Sequence, residues 1–107
     1  MFDCYSILDS QGTPEYPNED DYIDSFDFEE FKLLSELTAF YEGKSMEFMY
    51  FKDFRIMNFQ VEEMTGNIKT ILSSRGFSEY HKKAYQKMNN ILQVCLNKGM
   101  GLVCFCD

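Results

Sequence analysis

SEYHKKAYQKMNNILQVCLNKGMGLVCFC, residues Ser78 to Cys106, contains the two most legible elements of the chain. Ser78 is a helix N-cap residue and Gly99 a helix stop. Between them His81, Ala84, Met88, Ile91, Leu92, Cys95 and Leu96 recur at helical spacing. They form one apolar stripe opposite Lys82, Lys83, Gln86, Lys87, Asn90 and Gln93. After Gly99 the period changes. Gly101-Leu-Val-Cys-Phe-Cys106 is apolar at successive positions, which predicts a short strand buried on both faces.

Upstream of Ser78 the period is again helical. Val61, Met64, Ile68, Ile71 and Leu72 share a face from Gln60 onward, interrupted by Gly66 and closed by Gly76, and the Arg75-Gly76-Phe77 joint predicts a helical hairpin. Met46–Phe59 is apolar at nearly every position and reveals no period. Its aromatic density suits two short strands, roughly 46–51 and 54–59, turning at Lys52-Asp53 without the glycine a tight hairpin prefers. Another helix start is written at Asp27, with Glu30 as capping-box partner and Phe26 and Phe31 as staple. Its stripe would be Phe31, Leu34, Leu37, Thr38 and Tyr41, with Gly43 as the stop. A rival start at Asn18 extends this helix toward the amino end. Met1–Leu8 alternates as a strand does, and Asp9–Asn18 gathers Gly, Pro, Ser and Asn as a loop does. The expectation is an α+β fold over residues 1–107. A single compact domain would have three helices packed on a small, mostly antiparallel sheet, with a partly flexible acidic loop and helix-start region over 9–26.

A chain of 107 residues, 45% hydrophobic and 17% aromatic, is one domain's worth and closes a core without staples. The apolar runs are too short for a membrane span, and the opening Met-Phe-Asp-Cys has no secretory character. A reducing cytoplasm is the expected address, and the four cysteines are expected as buried thiols. A zinc cluster of Cys95, Cys104 and Cys106 with Cys4 or His81 is the alternative, but it lacks the paired knuckles of structural zinc sites. Asp20, Asp21, Asp24 and Asp27 lack a calcium-loop pattern. There is no glycine-rich phosphate loop, nucleophile elbow or His-Glu-x-x-His, and the single histidine falls on a helix stripe. The expectation is therefore no enzyme, no cofactor and no metal.

Charge is distributed unevenly. Residues 1–43 carry twelve Asp and Glu against the single Lys32, while residues 44–107 carry six acids against nine Lys and Arg, within a net charge of −8. The densest run is EDDYIDSFDFEEF, Glu19–Phe31, with seven carboxylates and five bulky apolar side chains. A one-sign patch of this density steers a cationic partner and repels itself. The partner-binding residues expected are Glu19, Asp20, Asp21, Tyr22, Asp24, Phe26, Asp27, Glu29 and Glu30, with Tyr16, Ile23 and Phe28 as further anchors. If the region is helical, Asp20, Asp24, Asp27 and Glu30 form a phosphate-like row. That chemistry suits an acidic inhibitor or regulator engaging the basic surface of a nucleic-acid-handling enzyme or effector. DNA mimics and viral anti-defence proteins, including anti-CRISPR proteins, have this character. Two alternatives stand beside it: a self-associating structural or regulatory subunit, and a nucleic-acid binder using Arg75, Lys82, Lys83, Lys87 and Lys98.

Overall fold

Phe2, Cys4, Leu102 and Cys104 lie at the centre of the molecule, on the two strands that join the chain's distant ends. The computed structural model describes residues 1–74 and 76–106. Strand β1 spans Phe2–Ile7; a 3-10 turn at Glu19–Asp21 leads into β2, Tyr22–Phe26. Two short helices follow, α1 at Phe28–Lys32 and α2 at Ser35–Ala39. Then come β3 at Phe54–Ile56, α3 at Asn58–Ser74, α4 at Glu79–Asn97 and β4 at Gly101–Cys106. The sheet runs β2-β1-β4-β3, antiparallel throughout. With a radius of gyration of 13.1 Å, the described residues form one compact α+β domain of four helices on a four-stranded sheet.

Directly opposed residues share a sheet face. Phe2 opposes Phe26 and Cys106, Cys4 opposes Cys104, and Ile56 opposes Leu102, so this face meets the buried stripes of α3 and α4. Tyr5, Ile7 and Val103 occupy the other face. The 9–18 loop lies against that face, with Gln11, Pro14 and Pro17 near Tyr5 and Val103. Arg55, paired with Val103 across β3 and β4, holds the loop by donating to Thr13 Oγ1 at 2.7 Å and to the carbonyls of Leu8 and Gln11.

The later half follows its expected pattern. Ser78 accepts from the His81 amide, Gly99 takes φ +65°, and Gly66 sits inside α3 without ending it. Three expectations are corrected. Residues 22–26 form a strand, so the rival helix from Asn18 is absent: Asn18 does cap, accepting from Asp20 N at 3.1 Å, but for one 3-10 turn only. The Asp27 helix breaks at Leu33–Leu34 into α1 and α2, which gives four helices instead of three. Phe31, Leu34 and Leu37 are all buried, and a spacing of three residues is aligned by a turn tighter than an α-helix; Leu33 and Leu34 accordingly bond to Glu30 and Phe31, three residues back. Finally, 46–51 is no strand, and the second strand shrinks to Phe54–Ile56. Phe48 turns inward to touch Phe2, Phe31 and Phe54, with ring centroids 5.8, 5.0 and 4.9 Å away, which an exposed hairpin would forbid.

Candidate protein-docking surface

The acidic run is divided by its backbone. Glu19 and Asp20 stand exposed on the 3-10 turn, with Asp21 half-buried behind them. Tyr22 lies on the outer sheet face, edge-on to Tyr5 at 5.6 Å, with its hydroxyl 2.7 Å from Ser25 Oγ. Asp24, opposite Cys4, points to the helix side, where Lys87 Nζ is 3.9 Å away; its other bond is from the Ser25 amide at 2.8 Å. Asp27 accepts from Glu30 N at 2.8 Å and Glu30 from Asp27 N at 3.1 Å, completing the capping box. Glu30 also pairs with Lys87 at 3.0 Å, and Glu29 with Lys32 at 3.0 Å.

Two corrections follow. Asp20, Asp24, Asp27 and Glu30 lie on a turn, a strand, a cap and a helix respectively, so they form no phosphate-like row. Phe26 is wholly buried, packed against Phe31 with Lys87 Nζ 4.8 Å above its ring, and serves the core instead of a partner. Ile23 is likewise drawn into the core cluster.

Phe28 alone of the run's phenylalanines faces outward, at 42% exposure, and it does not stand alone. Tyr50 and Phe51 from the irregular 46–53 segment meet it at 5.2 and 5.4 Å. Together with Phe31, Phe48 and Met49 they line a groove of about 420 Å³ between α1–α2 and that segment. Met49 is 49% exposed and Phe51 77%. Lys32 Nζ lies 4.9 Å over the Phe28 ring, and Glu42 and Glu47 complete the polar rim. A contiguous apolar surface with charged edges is the form of an interaction site. Met49, Phe51, Glu42 and Glu47 are the residues the sequence reading missed. The available signal was an apolar run too dense for a hairpin of that length and closed by a turn lacking glycine.

The basic helix offers less than its composition promises. Lys87 is committed to Glu30 and Asp24, Lys82 lies 3.8 Å from Glu79, and Lys98 reaches Ser6 at 3.5 Å. Arg75 lies outside the described residues. His81, half-buried against Phe77, places Nδ1 3.0 Å from the Ser78 hydroxyl, so it supports the helix cap. Cys4 and Cys104 bring their sulfurs to 3.3 Å as buried thiols, with no disulfide among the described residues. Burial pushes the Cys95 thiol up to about 12, and the Cys104 thiol is raised by burial and then by its contact with Cys4. A thiol held protonated is a poor nucleophile and a poor metal ligand. Among the described residues no three His, Cys, Asp or Glu groups are placed to hold a metal ion, and no helix is long and apolar enough to cross a membrane. No family model, curated protein or solved structure matches the chain.

Proposed function

We propose that this chain is a non-catalytic interaction protein, an inhibitor or regulator that engages the positively charged surface of a nucleic-acid-handling enzyme or effector. The supporting observation is the aromatic cluster of Phe28, Tyr50 and Phe51, in which Phe28 and Phe51 are exposed and Phe28 is flanked by the exposed carboxylates of Asp27 and Glu29. Carboxylates raise the encounter rate with a cationic surface, and desolvated aromatic anchors hold what arrives. Steering needs a patch of one sign and no phosphate spacing, so loss of the helical row leaves this mechanism intact. Small viral or mobile-element proteins that block host defence effectors are the biological class it suits, acting in the host cytoplasm.

The test is affinity capture of a basic partner from a lysate of the source organism or its host, washed at two ionic strengths and identified by mass spectrometry. A triple reversal, Glu19→Lys, Asp20→Lys and Glu29→Lys, leaves the capping box untouched. A basic nucleic-acid-binding protein should be retained at low salt, released at high salt and absent from the reversed variant. Retention indifferent to both salt and reversal sinks the proposal. Self-association as a structural or regulatory subunit is the second reading, favoured by Phe51 and Phe59 at 77% and 61% exposure. Light scattering that gives an assembly insensitive to the acid reversal, but split by substitution of Phe51, would select it.

A further inference from the structure

We infer that Cys4 and Cys104 are the two halves of a latent disulfide, closed by thiol–disulfide exchange with a small-molecule disulfide such as glutathione disulfide, which locks the two central strands together. This is independent of the proposed function, because it concerns the core and not the surface.

Register brings the two thiols together. Cys4 on β1 is directly opposite Cys104 on β4, and the two sulfurs stand 3.3 Å apart. Directly opposed residues of an antiparallel pair have Cα atoms about 4.5 to 5.5 Å apart, inside the range of about 4.4 to 6.8 Å that a disulfide spans. Closing the bond to about 2.05 Å therefore draws the sulfurs together by about 1.3 Å, which side-chain rotation supplies. The other two cysteines are placed less well. Cys106 lies two residues beyond Cys104 on the same strand and opposes Phe2. Its Cα is therefore about 6.4 to 6.8 Å from that of Cys104, at the far limit of the range. Cys95 is buried in the same cluster but comes from α4, so no strand register aligns it with either sulfur.

Burial decides when the bond closes. Cys4 and Cys104 are both 0% exposed, so an oxidant has no path to either sulfur in the closed sheet. Burial also holds the Cys104 thiol protonated, and exchange needs a thiolate. The reaction accordingly runs through molecules in which β1 and β4 have parted, including chains not yet folded. There the thiolate of one cysteine attacks the small disulfide, forming a mixed disulfide and releasing one small thiolate. As the strands pair again, register presents the second cysteine, whose thiolate attacks the protein sulfur of the mixed disulfide and expels the second small thiolate. In sum the chain gives up two protons and two electrons, and the small disulfide is reduced to two thiols. Reduction has to use the same opened state, so the oxidised fold is shielded from reductants too. The bond joins residues 100 apart in sequence, and a cross-link over so long a loop restricts the unfolded chain strongly.

The test is incubation of the whole chain with glutathione disulfide, in water and in urea just below the unfolding midpoint, followed by alkylation, digestion and mass spectrometry. One intramolecular bond between Cys4 and Cys104 is expected, with Cys95 and Cys106 alkylated. It should form at least about tenfold faster in urea than in water. The oxidised chain should melt about 10 °C or more above the reduced one. Cys95→Ala and Cys106→Ala keep the pair and should behave alike, whereas Cys104→Ala should gain no Tm. Circular dichroism verifies that each variant is folded. Should Cys104→Ala fail to fold, the map of Cys106→Ala, which leaves Cys104 as the one cysteine of β4, assigns the bond without it. A dominant bond from Cys95 or Cys106, a persistent mixed disulfide with glutathione, chains joined to one another, or no bond at all overturns the inference. So does a bond that leaves Tm unchanged, or a rate indifferent to urea.

Discussion

Tyr85 shows how much one hydroxyl can be asked to do. Helix α2 begins at Leu34 with no side-chain cap. The hydroxyl of Tyr85, reaching from α4, accepts from the Leu37 amide at 3.2 Å and donates to Glu36 Oε1 at 2.7 Å. It therefore satisfies one of the helix-start amides that a cap residue would normally serve. Removing it strands a buried donor, and Tyr85→Phe should cost about 1–3 kcal/mol in urea denaturation. Cys95 makes the second prediction at this scale. Its folded thiol is raised to about 12, chiefly by burial, whereas an unfolded thiol titrates near 8.5. Above that lower value the unfolded chain releases a proton that the folded chain keeps, so stability declines as pH rises. The contribution is fully present below about pH 8.5 and is lost by about pH 12, with a slope near 1.4 kcal/mol per pH unit between. Cys95→Ala should make the decline of stability between about pH 9 and about pH 11 shallower, read from denaturation midpoints.

Caps and glycines decide where elements stop. Asp27→Ala opens the capping box of a helix only five residues long, and should cost about 1 kcal/mol by denaturant titration. Two glycines near the end of α4 should behave differently under alanine substitution. Gly99 has a left-handed backbone with open space around its Cβ position, so Gly99→Ala should cost about 1 kcal/mol. At Gly101 a Cβ would run into the Ile56 carbonyl and stand 2.9 Å from Asp9 Oδ1. Asp9 is the acceptor for Asn58 N at the start of α3, so Gly101→Ala disturbs both the β3–β4 pairing and a helix start. A loss above about 2 kcal/mol is expected there. These elements also mark what was readable in the chain. The α3–α4 pair, β1, β4 and the Asp27 box follow from local rules, because periodicity and capping chemistry are written in neighbouring residues. Strand β2 was not readable. The carboxylates just before it, Glu19, Asp20 and Asp21, imitate the first turn of a helix, and pairing with β1 and the reach of Lys87 to Asp24 and Glu30 decide against it. The 46–53 segment failed for a related reason, since Phe48 is drawn inward by rings supplied from β1, α1 and β3. Of the candidate surface, the carboxylates were legible in sequence, whereas the groove exists only where distant segments meet.

The whole molecule closes around one pairing. Strands β1 and β4 are hydrogen-bonded neighbours at the centre of the sheet, with Phe2 opposite Cys106 and Ile7 opposite Gly101. The sheet is built around it: among the described residues β2 pairs within the sheet with β1 alone and β3 with β4 alone, and the helices cover the face the two central strands share. A chain ending after residue 100 should therefore lose cooperative unfolding and near-ultraviolet circular dichroism, while a two-state melt of that fragment would contradict the dependence. The same arrangement sets a condition on synthesis. Until residues 101–106 have left the ribosome, the apolar residues of β1 have no central partner, although α3 and α4 can already form. A nascent chain stalled after β2 and before residues 101–106 emerge exposes Phe2, Cys4 and Phe26 together, so a pause in that interval carries an aggregation hazard.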